Sequence, residues 1–314
     1  GEKKIFSLQP EIAYVEARDY FRSAVNVLQR DNFLFSAGFN CTIRGNIPIN
    51  AGMASSSALV VAWINFLTQM SNQAVKLSPV RIADYAYQAE VLEFSEPGGM
   101  MDHYSSALGG MFFLESVPRI NIEPLQTALK PFVLGDSGEA KDTKSILAHI
   151  KSQIIQITEK LAVKHPSFSL RNSTLKKIRE FASDLTQQQL KLLEGTLRNY
   201  QITQEARQIL KQVPLDHRKI GALLNEHQAI LRNTLRISTS KIDRMVNAAL
   251  EAGAYGAKIN GSGGGGCMFA YAPENPQEIA EAIEMAGGKS YIVNIDAGTH
   301  SGSSKNISDS NPSG

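Results

Sequence analysis

Pro48-Ile49-Asn50-Ala51-Gly52-Met53-Ala54-Ser55-Ser56-Ser57-Ala58 is a run of small and hydroxyl residues between a strand-like and a helix-like stretch. Upstream, Phe39, Cys41 and Ile43 alternate with Asn40, Thr42 and Arg44, the pattern of a half-buried strand. Downstream, Leu59 to Leu67 is apolar and compatible with a helix. At such a junction the first backbone N–H groups of the helix have no intrahelical partner, and the helix dipole favours negative charge. Small side chains let an oxyanion approach that backbone closely. Ser55, Ser56 and Ser57 add hydrogen bonds or a metal ligand. The same residues also fit an ordinary N-cap with a serine-rich loop.

The chain has 314 residues, enough for two domains and a sizeable core. Its 43% hydrophobic and 20% charged residues are those of a globular protein, and its net charge of +2 supplies no general pull toward nucleic acid or membrane. Cys41 and Cys267 are the only cysteines and form no C-x-x-C pair, which argues against a disulfide framework or structural zinc. That usage, with no apolar stretch of membrane-spanning length, leads to an expected cytoplasmic location.

Working outward, the pattern predicts helices over 11–30, 59–67 and 80–94, and a strand over about 38–45. Gly98-Gly99-Met100-Met101-Asp102 reads as a tight turn, and residues 105–114 lead into an apolar strand. Phe132-Val133-Leu134 is a short strand, and residues 145–232 are mostly helical. A helix over 242–252 ends at Gly253, a suitable C-cap. Strands follow at 257–259 and 267–271, then a helix at 277–285 and a last strand at 291–295. The polar tail from 299 is expected to be disordered.

A second glycine-rich segment, Asn260-Gly261-Ser262-Gly263-Gly264-Gly265-Gly266-Cys267, satisfies G-x-G-x-x-G formally. A dinucleotide site needs a helix directly after the loop and an acid about twenty residues on. Here an apolar strand follows instead. Five glycines in six positions exceed what a hairpin needs, which favours close approach to a ligand or to the Ser-rich loop. If the Ser-rich loop holds a triphosphate, Mg²⁺ must offset its charge, with one or two carboxylates as ligands. Glu90 on a helix and Asp102 in the Gly-flanked turn are the candidates. A carboxylate beside an acceptor hydroxyl can also take or orient its proton. Each has a plainer reading, Glu90 as a solvated helix residue and Asp102 as a helix cap. His103 fits a hydrogen-bonding neighbour better than a metal ligand.

These residues resemble the GHMP kinases. Pro48, Gly52, Ser55 and Ser56 match the family's second motif, Pro-x-x-x-Gly-Leu-Gly/Ser-Ser-Ser-Ala/Ser, with Met53 in place of Leu and Ala54 in place of Gly or Ser. The loop Gly261–Gly266 is similar to the third motif, and the likeness extends from about Glu11 to Gly298. Ala37-Gly38-Phe39-Asn40, the segment 47–52 and the segment 98–104 look like galactokinase. Asp136-Ser137-Gly138, Asp142-Thr143-Lys144 and the all-glycine third loop look like mevalonate kinase. The family's first motif, a Gly-Glu-His-like segment with a basic residue, is not found in the chain.

The resemblance implies an α+β, two-domain GHMP kinase fold. Its first domain (1–118), of ribosomal S5 domain 2-like type, would lack its first strands. A ferredoxin-like second domain (119–298) and a tail (299–314) would follow. It implies ATP and Mg²⁺ as cofactors, Ser56 and Glu90 as metal ligands and Asp102 as the catalytic carboxylate. Pro48, Ala51, Gly52, Met53, Ala54, Ser55, Ser56, Ser57, Gly261, Gly263, Gly264 and Gly265 would cradle the phosphates. The expected activity is transfer of the γ-phosphoryl group to a sugar hydroxyl, the anomeric one of galactose or a related sugar, by a monomer or homodimer. Mevalonate or another small alcohol is the alternative acceptor, and a non-catalytic sensor of sugar and nucleotide the alternative of a different class.

Overall fold

The computed structural model describes residues 3–49, 51–96, 98–140 and 143–302, with backbone alone for 143–149. The chain forms two compact units. The first takes in residues up to Gly45, Ser56–Gly110 and the segment from Asp296. The second takes in Asn46–Ser55 and Met111–Ile295.

The first unit is built from α1 (Tyr20–Arg30), α2 (Ser55–Met70), α3 (Pro79–Tyr87) and α4 (Met101–Leu108). Ala24, Val25 and Leu28 of α1, Val60, Ile64 and Leu67 of α2 and Ala83 and Ala86 of α3 form its buried interior. The predicted helix from residue 11 begins only at Tyr20. Asp19 caps it through Arg22 N–H, and Arg18 lies in the left-handed region at φ 61°. The Asn26 side chain occupies both the N–H and the C=O of Ile12, each at 2.8 Å, and so satisfies that backbone outside a helix. The predicted strand 38–45 is not formed. Its backbone pairs with no strand among the described residues, Cys41 and Ile43 are exposed, and only Phe39 turns inward onto Trp63 and Phe66. Alternation alone does not make a strand where no ladder partner is present.

α3 ends in a π-helical turn, Gln88–Leu92, closed by a bond from Glu93 N–H to Gln88 O at 2.9 Å. Such turns are uncommon and concentrate at functional positions. The start of the predicted tail is anchored: Thr299 N–H donates to Ser106 O and Ala107 O, and the Ser301 hydroxyl accepts from Gln69 at 2.8 Å. Gly109 and Gly298, at φ 63° and 82°, let the two backbones touch there; a Cβ on Gly109 would lie 2.1 Å from the Ala297 carbonyl carbon. The rest of the predicted tail, 303–314, lies outside the described residues.

In the second unit β1 (Phe112–Glu115) and β2 (Asn121–Pro124) pair antiparallel. The chain continues through β3 (Phe132–Asp136), α5 (Thr143–Lys164), α6 (Leu175–Glu180), α7 (Gln187–Ile209), α8 (His217–Asn233) and α9 (Ser240–Glu251). It ends with β4 (Gly256–Ile259), β5 (Cys267–Tyr271), α10 (Pro276–Met285) and β6 (Lys289–Val293). The four strands order as β4-β5-β3-β6, antiparallel throughout, which is the split β-α-β arrangement of a ferredoxin-like sheet. Val133, Ile259, Met268 and Ala270 of this sheet pack with Ile242, Met245, Ile279 and Ile283 of α9 and α10 in one core. α5 to α8 insert between β3 and α9, and α5, α6 and α7 close a second core around Leu161, Ile178 and Leu193.

Candidate active site

The first unit gathers Ser56, Ser57, Glu90 and His103. Glu90 sits on the π turn and is 8% exposed. The hydroxyls of Ser56 and Ser57, on the first turn of α2, lie near its carboxylate and favour the ionised form. The carboxylate accepts from His103 Nε2 at 2.7 Å. Burial pushes the Glu90 carboxyl up, but the bond from His103 and the nearby serine hydroxyls outweigh it and hold the group below its ordinary value. A carboxylate only accepts, so Nε2 carries the hydrogen, and His103 Nδ1 is buried with no partner among the described residues. The solvated-helix reading of Glu90 is therefore replaced by a buried, ionised carboxylate.

Asp102 and His103 are neighbours on α4, where successive side chains diverge by about 100°. His103 turns inward to Glu90, and Asp102 is exposed. Asp102 lies in the first turn of α4 rather than in a turn before it, and the N-cap position is held by Met100, so Asp102 is not the cap. Two further residues of this unit were not legible in the sequence. Tyr20 is pushed up to about 12 by burial and then by the charge of Glu90. Arg18, paired with Glu96 at 2.9 and 3.0 Å, lies close enough to Glu90 for the charges to act on each other. Neither is within a recognisable motif; only folding of the 3–19 segment brings them there.

The second unit holds the two loops. In the first, Ala51 is buried, Pro48 and Gly52 to Ser55 are half-buried, and Gly52 and Ala54 take φ 77° and 54°. In the second, Gly261 and Gly263 to Gly266 all have positive φ, from 65° to 112°. Asn260 Nδ2 donates to Gly52 O at 2.9 Å and ties the loops together. Much of the glycine requirement is internal. A Cβ on Gly263 would lie 2.6 Å from Ile237, and one on Gly265 2.9 Å from Ala140 O. Gly264 N–H donates to Ile237 O at 2.7 Å, Gly266 N–H to Glu139 O at 3.0 Å, and the buried Ser137 hydroxyl to Gly266 O at 2.6 Å. Gly261 is exposed and keeps backbone open to a ligand, whereas Gly263, Gly264 and Gly265 are engaged with Ile237, Glu139 and Ala140 and give the loop its shape.

Among the described residues, no group of three or more His, Cys, Asp and Glu is arranged to hold a metal ion. The hydroxyl of Ser56 and the ionised Glu90 carboxylate, close together, suit a hard cation that takes oxygen ligands and completes its shell from a bound phosphate. Among the described residues no helix is long and apolar enough to cross a membrane.

A family model described as GHMP kinases N terminal domain matches residues 19–110, and one described as GHMP kinases C terminal matches residues 202–288. The chain is 30% identical to a mevalonate kinase of Pyrococcus furiosus over 89% of its own length and 73% of that protein's. It is 25% identical to a galactokinase of the same organism over 90% of its length and 78% of the relative's. Its fold superposes on Lactococcus lactis galactokinase, solved with galactose, at a TM-score of 0.78 and 18% identity, covering 93% of this chain and 79% of the other.

Proposed function

The chain belongs to the GHMP kinases, and from that premise we propose that it transfers the γ-phosphoryl group of ATP to the hydroxyl of a small alcohol. The observation that carries the reading is the cluster of Ser56, Ser57, Glu90 and His103 with the exposed Asp102 next in sequence to His103. The Ser-rich loop and the open backbone of Gly261 bind the phosphates. Ser56 and Glu90 would hold Mg²⁺, which offsets phosphate charge when bound. His103 keeps the Glu90 carboxylate in one orientation. Asp102 accepts or orients the proton of the acceptor hydroxyl.

For the acceptor, mevalonate is favoured by the likeness to mevalonate kinases, 30% identical in Pyrococcus furiosus and 31% in Thermococcus onnurineus. A sugar such as galactose is the second reading. It is favoured by segments 37–40, 47–52 and 98–104, which look like galactokinase, and by the galactokinase relative. ADP release with Mg·ATP and a panel of mevalonate, galactose and other hexoses separates the two. Turnover with mevalonate alone is expected; turnover with galactose alone reverses the acceptor. Mg·ATP binding with no turnover on any member of the panel would mean a sensor.

A further inference from the structure

In the first unit α3, its π turn and α4 hold the Glu90 carboxylate from one side. The Ser23 hydroxyl of α1 donates to Ala89 O at 2.8 Å and fixes the backbone of the turn. Two successive residues of α4 then donate to two acids of the facing segment: the Tyr104 hydroxyl to Asp84 Oδ1, and His103 Nε2 to Glu90 Oε2 at 2.7 Å. His103 is 2% exposed, and its ring stands edge-on to Tyr87, 5.6 Å between centroids at 71°, so it is held in place from a second side. Its Nδ1 is buried with no partner among the described residues. An unpartnered buried acceptor costs free energy that a leucine at the same place would not, so packing alone does not explain a histidine here.

The bond decides how Glu90 can meet a cation. Oε2 is engaged by His103, which leaves Oε1 as the oxygen not committed to the imidazole. Turning both oxygens onto one ion would pull the carboxylate off Nε2. Among the described residues no group of three or more His, Cys, Asp and Glu is arranged to hold a metal, so the way this single carboxylate ligates carries weight. Mg²⁺ demands a near-octahedral shell at about 2.0–2.1 Å and is commonly held by one or two carboxylates with phosphate oxygens. Ca²⁺ is larger, takes about 6–8 oxygens and often grips a carboxylate through both of its own. A carboxylate restricted to one oxygen suits the first ion and penalises the second.

We propose that His103 is a positioning residue that makes Glu90 a one-oxygen ligand and thereby sets the preference of the site for Mg²⁺ over Ca²⁺. The proposal rests on the reading of Ser56 and Glu90 as the metal ligands. The test is electron paramagnetic resonance of Mn²⁺ bound to the full chain with β,γ-imido-ATP, with Mg²⁺ or Ca²⁺ as the displacing ion. The parent is expected to release Mn²⁺ at a lower concentration of Mg²⁺ than of Ca²⁺. In His103→Leu the ratio of Mg²⁺ to Ca²⁺ affinity is expected to fall about tenfold, the scale on which the support of a metal ligand acts. His103→Gln, whose amide N–H reaches the place of Nε2, is expected to keep the ratio within about twofold of the parent's. His103→Asn, polar but too short to reach Oε2, is expected to lose it as the leucine variant does, and decides the matter where the leucine variant does not fold. A ratio unchanged in the leucine and asparagine variants overturns the proposal. An equal fall in the glutamine variant also overturns it, because the packing of the ring would then be the cause. Mn²⁺ held by the parent no more tightly than by the analogue alone overturns the metal reading of Ser56 and Glu90, and the proposal with it.

Discussion

Among the described residues Asp102 makes no hydrogen bond or ion pair: it is exposed, in the first turn of α4, and does not occupy the N-cap position. Replacing it separates chemistry from folding. Asp102→Ala is expected to lower kcat about 10²–10⁴-fold, the usual worth of a positioned acid–base group, with little change in the KM for ATP. Thermal unfolding should stay within about 0.5 kcal/mol of the parent. Retained turnover would remove the assigned role. Glu90 behaves in the opposite way, because it is buried and ionised among donors. The residue types Ser56, Glu90 and Asp102 were legible from the spacing of small residues and carboxylates. The partnership of Glu90 with His103 was not, because it depends on how α4 packs against the π turn. Arg18 and Tyr20 were equally silent, since the helical pattern from residue 11 hid the break at Arg18.

Among the elements, the glycine loop and α8 carry the clearest tests. Gly263→Ala places a methyl 2.6 Å from Ile237 at φ 82°. Left-handed backbone strain alone costs about 1–3 kcal/mol. The variant is expected to lose at least that much stability in urea and to weaken ATP binding as the loop shifts. An unchanged urea midpoint would show that the loop yields freely. On α8, His227 is lowered to about 4, by burial first and then by the charge of Lys258. A histidine whose folded value is depressed leaves more protons on the unfolded chain as pH falls. The stability present above about pH 6.5 is therefore lost progressively down to about pH 4. His227→Gln is expected to flatten the decline of melting temperature across that window; a profile identical to the parent's would mean that His227 titrates as it does unfolded. The strands from β3 onward and the helical character of residues 145–232 were readable from periodicity, but the division of that stretch into α5, α6, α7 and α8 was not. The predicted strand 38–45 failed because pairing is a property of two segments, and pattern reports only one.

At the scale of the molecule, the two units have separate interiors and are reported by different probes. Trp63, the single tryptophan, is buried in the first unit against Phe21 and Phe66, while most helical residues belong to the second. Tryptophan fluorescence and far-ultraviolet circular dichroism are expected to give different urea midpoints, as multi-domain chains commonly do. Coincident curves would mean that the units unfold as one. Saturating Mg·ATP should raise the fluorescence midpoint if Ser56 and Glu90 bind it, by linkage. Local chemistry was written in the order of residues: small and hydroxyl side chains before a helix, a glycine run between two strands, a carboxylate among glycines. Those features depend on neighbours a few positions away, so a linear reading reaches them. The ionised state of Glu90, the support of Gly263 by Ile237, and the membership of the Ser-rich loop in the second unit arise from contacts between distant segments. No local pattern encodes them, because burial and hydrogen bonding there are settled only when the segments meet.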